Sequence, residues 1–467
     1  MPMEFNDRMR HPLPGRRRMG ELGRMNNMHS GRGAILAACL VAAAVAPAPV
    51  TAVADAIPQL VATARRAGLR VLESTHLVLA TDRPPRDDDG LEELPRIFDE
   101  AVAAWCGHYG IEPATVRDWR ACGFLVVDRE RFRTAGLLPA LRPDFPNGFC
   151  DRDRFWLMDQ SNPAYRRHLL LHEGVHAFTL TVRGLAAPEW YTEGIAEFLA
   201  THRLEQGADG RGHFVPAPLP ARRADVEQLG RIEHLRALHA AGRPPALATV
   251  LAAAAGNHQD IAAYASSWAA VAVLARHPAF ARQFAAAERG PLDAAFNDRL
   301  AAQPGWDAPR AAREYALFTA EVDYGWDFAS QTVDWSPGRP LVVPTRVEVA
   351  AGRGWQNTGL ALERDGRCRV AATGRVGLGG VGGAGGAIES EADGITLRWY
   401  RGRPVGRLLA AQWVERPDGG AGFVVLGTGA TMDLVAAASG PLYLKVNDQP
   451  GGLSDNTGRY AVELAPP

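Results

Sequence analysis

Lysine is all but absent from this chain. Of the 51 basic side chains among its 467 residues only Lys445 is a lysine, and because the arginines are scattered through every kind of segment their excess reads as coding background. Neither sign of charge prevails, since 52 acidic groups leave a formal net charge of −1. This argues against a general nucleic-acid binder, because neutralising phosphates needs a basic surplus that the chain offers only locally. Cysteine is scarce too, five in all and none in CxxC spacing, which argues against a zinc site built from thiolates. No comfortable membrane span is written: the apolar run Ala34 to Val50 is short, is broken by Pro47 and Pro49, and falls below the roughly 20 residues a helix needs. What is present, 47% hydrophobic and 22% charged residues, is the composition of a folded chain. At about 100 to 200 residues per domain, the length implies two or three domains.

The first 54 residues read as an export leader. Residues 1–32 carry seven arginines against three acids, the apolar run follows, and small residues Thr51 to Ala54 offer a cleavage site. Translation starting at Met25 or Met28 would give a signal of ordinary length. The expected location is secreted, periplasmic or at the cell surface, with no stable membrane span after cleavage. A retained anchor helix, or lipidation at Cys39 in Leu36-Ala37-Ala38-Cys39, is the alternative. Removing the leader brings the net charge to about −5. It leaves Cys106, Cys122, Cys150 and Cys368, for which a bridge between Cys122 and Cys150 or buried free thiols are both open.

From residue 55 to 335 helical and short apolar segments alternate. Helices are expected over Gln59 to Ala67 and Leu94 to Tyr109, strands over Leu77 to Ala80, Phe124 to Val127 and Phe155 to Met158, and mostly helix from Ala164 to Arg313. This is an α+β layout, mostly helical with a small sheet. Ser336 to Pro340 opens a linker expected over residues 336–345. Residues 346–467 then read as an all-β sandwich, with strands near Arg367 to Ala371, Ile395 to Tyr400, Phe423 to Leu426 and Leu442 to Val446. The glycine-rich stretch Gly377 to Gly386 is expected to be an exposed loop.

The most informative segment is Asn162 to Phe178. Asn162 can cap a helix that Pro163 begins and Gly184 ends. On that helix His172 and His176 share a face, close enough for one tetrahedral Zn²⁺, and Glu173, one position round, can act as general base on water. A second helix from Pro188 would return a third ligand, Glu193. One turn later Glu197 could hydrogen-bond a ligand histidine's other nitrogen. A third histidine six residues beyond His176 is missing, that place being Val182. His168, one turn earlier, is read as a surface or supporting histidine in preference to a fourth ligand.

His172-Glu173-Gly174-Val175-His176, followed by Trp190-Tyr191-Thr192-Glu193-Gly194-Ile195-Ala196-Glu197-Phe198, resembles the gluzincin zinc peptidases. These include the thermolysin and aminopeptidase N families and the smaller peptidase-MA-like group. The resemblance implies a zincin-like fold, zinc held by His172, His176 and Glu193, and Glu173 as the base. The aminopeptidase GxMEN motif is not recognisable, so exopeptidase action is not implied. Tyr264, in Tyr264-Ala265-Ser266-Ser267-Trp268, resembles a peptidase-MA segment and is a candidate oxyanion donor, or else a core aromatic beside Trp268. The strand Phe155 to Met158 is expected to receive an extended peptide.

Residues 442–458 are similar to the calcium-dependent galactose-binding lectins of the PA-I type. That resemblance implies Ca²⁺ held by Asp448, Asp455, Asn456 and the carbonyls of Gly452 and Leu378. The family's sugar-contacting His and Gln are replaced here by residues 379–393, which carry neither, and an ordinary hairpin turn at Ser454 to Gly458 is the alternative reading. The functional expectation is an exported zinc metallopeptidase acting on peptide or protein substrates, with an accessory sandwich that takes calcium and a glycan. A catalytically inactive surface or adhesion protein is the main alternative, and a zinc hydrolase of non-peptide bonds a third.

Overall fold

The computed structural model describes residues 56–85, 90–140, 144–226, 230–253, 261–380, 388–416 and 420–467. The expected leader and most of the glycine-rich stretch, residues 381–387 included, lie outside the described residues.

After helix α1 (Ala56–Arg66), strands β1 (Arg70–Glu73), β2 (Leu77–Thr81), β3 (Ala121–Val126), β4 (Gly148–Asp151) and β5 (Arg154–Met158) form one sheet in the order β1-β2-β3-β5-β4. The three central strands are parallel, and β1 and β4 are antiparallel edges. Because the centre is covered on both faces, its strands read as continuous apolar runs without alternation. Helices α2 (Leu94–Tyr109) and α3 (Pro163–Val182) cover one face through Phe98, Trp105, Leu171 and Phe178. Ala64 of α1 joins Phe132, Phe145 and Trp156 on the other.

A helical block follows: α4 (Glu189–Ala200), α5 (Arg231–Ala240), α6 (Ile261–Arg276) and α7 (Ala308–Glu321), with shorter helices between. Helix α6 is buried without a break from Ala265 to Leu274, which is why it is mostly apolar on every side, Ser266 and Ser267 being its buried polar residues. The hairpin β6 (His202–Gln206) and β7 (Gly212–Pro216) interrupts a stretch whose sequence pattern reads as helical.

The C-terminal half is β-rich. Strands β8 (Arg339–Pro340), β10 (Gln356–Leu362), β16 (Leu408–Glu415), β17 (Ala421–Thr428) and β19 (Gly440–Val446) make one sheet, ordered β17-β16-β19-β10-β8. A second sheet holds β9 (Thr345–Ala350), β11 (Arg367–Thr373), β12 (Val376–Leu378), β13 (Ile388–Ser390), β18 (Thr431–Val435) and β20 (Thr457–Ala465). Leu360, Leu442, Val370 and Val462 from the two sheets share one core, and β11 alternates buried and exposed residues as a one-face strand should. Hairpin β14 (Ile395–Tyr400) and β15 (Arg403–Val405) stands apart.

Several expectations are refined here and one is overturned. Within the expected linker, residues 336–345, Arg339 and Pro340 pair with β10. Gly377 and Leu378 belong to strand β12 and not to a loop. The four described cysteines are free thiols; β5 separates Cys122 on β3 from Cys150 on β4, so the bridge is not made. Lys445, the one lysine, sets its ammonium 3.3 Å from Glu321 at the end of α7, and Trp355 donates to the same carboxylate at 2.8 Å. Burial would lift the Glu321 carboxyl, but Lys445 and Arg401 hold it below the usual range. This ion pair and the apolar cluster of Leu317, Trp355, Leu409 and Tyr443 join α7 to the β-rich half. Among the described residues no helix is long and apolar enough to cross a membrane.

Candidate metal centre

Helix α3 begins as its sequence implies. The Asn162 side chain accepts from the Tyr165 amide at 2.9 Å, Pro163 fills the first turn, and Gly184 just past the end is left-handed at φ 65°. A repeat of 3.6 residues then stacks His168, His172 and His176 along one face, while Leu171, Val175 and Phe178 enter the core. Helix α4 folds back against α3 and packs tightly on α6. At Gly194 a β-carbon would come within 2.5 Å of the Ser267 carbonyl oxygen, so glycine lets the two helices close up, with Glu193 and Tyr264 lining one cleft.

The structure brings three of the expected ligands together. His172 Nε2 and His176 Nε2 face each other at 3.1 Å, and Glu193 Oε2 lies 3.4 Å from both. A tetrahedral ion with ligand bonds of roughly 2.0 to 2.2 Å would hold its ligands about 3.3 Å or slightly more apart, so the triangle has the size such an ion needs. The donor set is right as well. Glu197 Oε1 lies 3.1 Å from His172 Nδ1, which leaves Nε2 as the ring nitrogen turned to the triangle, where a metal would take the place of its proton. Burial alone would depress the His172 imidazole, but its hydrogen bonds to Glu193 and Glu197 raise it to about 10.

Glu197 is itself held. Arg231 of α5 donates to both its oxygens, at 2.9 and 2.5 Å, and His168 Nε2 lies 3.3 Å away. Burial works against the charge, yet Arg231 and then His168 keep the Glu197 carboxyl well below the usual range. His168, His172 and Glu197 also stand within metal-ligand reach of one another. The guanidinium already neutralises that carboxylate, so the cluster supports His172 and needs no second ion.

Glu173 is buried beside the triangle, against the backbone of β4. A β-carbon on Gly148 would lie 2.1 Å from Glu173 Oε1, so any larger residue there would displace the carboxylate. Burial pushes the Glu173 carboxyl up, while the charges of His172 and His176 pull it back. These groups line a cleft of about 340 Å³ together with Pro146 to Cys150, Tyr165, Arg231 and Tyr264. The Tyr264 ring is 6.0 Å from that of His172. Burial, then the charges of Glu193, Glu173 and Glu197, raise its phenol and keep it protonated as a donor. Its helical neighbour Trp268 turns into the core and donates to the Pro218 carbonyl at 3.1 Å.

The expected peptide-receiving strand is misplaced. β5 lies between β3 and β4 with both edges used, so it has no free edge to offer; the sheet edge along the cleft is β4. Gly148 and Arg231 are the residues that sequence reasoning missed. Asn147-Gly148 carries a turn signal that could have marked the first, whereas nothing local marks Arg231 as the partner of a carboxylate 34 residues away.

The second expected site does not fit its ion. Asp448, Asn456 and Gly379, just after Leu378, do meet: the Gly379 amide donates to Asn456 Oδ1 at 3.2 Å, and Asn456 Nδ2 donates to Asp448 Oδ2 at 3.0 Å. Gly452 packs against the Asp448 carboxylate and Asp455 against Gly379. But Arg398 Nη2 already stands 2.9 and 3.1 Å from the two Asp448 oxygens. With a guanidinium there and the Asn456 oxygen committed to an amide, too few free oxygens remain for calcium, which takes six to eight.

No protein-family description and no curated protein matches the chain. A solved structure titled "EclA N-terminal domain; PllA-like lectin" is similar at 23% identity, over 27% of this chain and 98% of its own length, with a TM-score of 0.18.

Proposed function

We propose that the chain is a zinc-dependent peptidase whose metal is held by His172, His176 and Glu193, and that Glu173 is its general base. The observation that carries this reading is the triangle of two imidazole nitrogens and one carboxylate oxygen at 3.1, 3.4 and 3.4 Å, with a buried carboxylate beside it and a cleft in front. Zinc bound there would supply a Lewis acid for a peptide carbonyl and would lower the pKa of a bound water to about 7. The chain's own groups do the rest. Glu173 takes the proton from the attacking water and passes it to the leaving amine nitrogen. Tyr264 donates its phenolic hydrogen towards charge developing on the carbonyl oxygen. β4, which pairs with β5 alone among the described residues, offers its other edge to an extended backbone, which favours a peptide over other amides and tolerates many side chains.

Export to the periplasm, cell surface or medium is part of the proposal and rests on the basic leader and the apolar run after it. Glycan capture by the β-rich half rests on the resemblance of residues 442–458 alone. The test of the catalytic reading is hydrolysis of a quenched fluorescent casein. Dialysis against 1,10-phenanthroline is expected to abolish it and one equivalent of zinc to restore it; hydrolysis that survives removal of the metal would overturn the reading.

A further inference from the structure

We infer that the guanidinium of Arg398 is the resident cation of the loop cluster around Asp448, so that the β-rich half assembles its end loops without a divalent ion. This is independent of the zinc centre and replaces the calcium that the resemblance of residues 442–458 implies.

The side chain of Asp448 is fully buried, and a carboxylate so placed needs a counter-charge. Strand β14 provides one. Leu397 and Trp399 are exposed, at 76% and 58%, and Arg398 between them turns inward, as the two-residue period of a strand requires. Its Nη2 reaches both oxygens of Asp448. The Gln449 amide adds a bond of 2.7 Å to Oδ1, and Asn456 Nδ2 adds its own to Oδ2. Each oxygen thus has two donors, which leaves a carboxylate little capacity for an ion.

Asn456 is fixed in the same sense. Its oxygen takes the Gly379 N–H and its nitrogen faces the carboxylate; turning the amide to offer oxygen inward would set oxygen against Asp448 and N–H against N–H. Calcium on Asp448 would also lie a few ångströms from the guanidinium cation, and the two like charges repel. Asp455 adds a carboxylate, but it is exposed and packs on Gly379. The cluster is therefore one in which a permanent side-chain charge does what a diffusible ion would otherwise do. Its order should not respond to calcium, and any ligand it takes must be recognised without coordination to a metal.

Calcium titration of the full zinc-loaded chain, followed by calorimetry and by thermal unfolding, tests this. The unsubstituted chain is expected to give no saturable heat up to millimolar calcium and no rise in Tm. Arg398→Met, which strands the buried carboxylate, is expected to lower the Tm by about 5 °C or more in calcium-free buffer, and millimolar calcium should recover part of that loss. Adding Asp448→Asn to Arg398→Met should remove the response to calcium. Saturable calcium binding by the unsubstituted chain with a rise in Tm would overturn the inference, whether or not the variants fold. So would an Arg398→Met chain as stable as the unsubstituted one in calcium-free buffer.

Discussion

Replacing Glu173 with glutamine is expected to lower kcat for casein hydrolysis about a thousandfold, the scale of a lost general base, while bound zinc stays at its original content. The side chain keeps its shape, so its packing against Gly148 survives and what is removed is the ability to accept a proton. Stability should not fall. Burial raises the Glu173 carboxyl, so its ionised form at neutral pH is a cost to the folded chain, and a neutral amide relieves it. An unchanged or higher Tm in the metal-free chain, measured beside the kinetics, separates loss of chemistry from loss of fold. Hydrolysis retained by Glu173→Gln would remove this carboxylate from the mechanism.

The second large effect is expected at Arg231. Substituting methionine leaves Glu197, only 2% exposed, without its bidentate partner, and stranding a buried charge in this way costs roughly 3 to 5 kcal/mol. The sign of its pH dependence follows from the direction of the shift. Glu197 is held well below the ordinary carboxylate range, so its contribution is fully present above the unfolded pKa of about 4.3 and is lost only as pH falls through the lower folded value. Denaturant unfolding should therefore show the largest deficit for Arg231→Met at neutral pH, narrowing below about pH 4. Zinc affinity should fall about 10- to 100-fold, because Glu197 would no longer be fixed where it orients His172. Arg231→Lys keeps the charge without the fork and should recover part of both losses. A variant unchanged in stability and in zinc affinity would show that the guanidinium holds nothing in place.

Local signals wrote much of this architecture. The helix over Leu94 to Tyr109 and the strand over Ile395 to Tyr400 have the bounds their periodicity implies, and Asn162, Pro163 and Gly184 bracket the histidine helix. The juxtaposition of His172, His176 and Glu193 follows from one helical spacing and one short return. What could not be read is what depends on partners far apart in the chain. Four residues of β4, Gly148-Phe149-Cys150-Asp151, have no strand pattern of their own and are a strand only because β5 pairs with them. Strand order in turn decides that β4, and not the more apolar β5, is the edge strand among the described residues.

Charge pairing is the least legible layer. Arginine is so common here that no single one stands out, yet Arg231 and Arg398 neutralise buried carboxylates 34 and 50 residues away. Lys445, whose rarity alone says nothing of a role, pairs with Glu321 across 124 residues. The expected calcium ligands meet the same difficulty: Asp448, Asp455 and Asn456 are spaced as the lectin resemblance implies, and Arg398, the side chain that bonds Asp448, comes from a different strand.

Zinc content measured by mass spectrometry on the purified chain and on its His176→Ala and Glu193→Gln variants tests the central claim most directly. The account predicts close to one zinc per unsubstituted chain and its loss or marked weakening in both variants. A chain that takes up no zinc, or variants that hold as much as the unsubstituted protein, would contradict it.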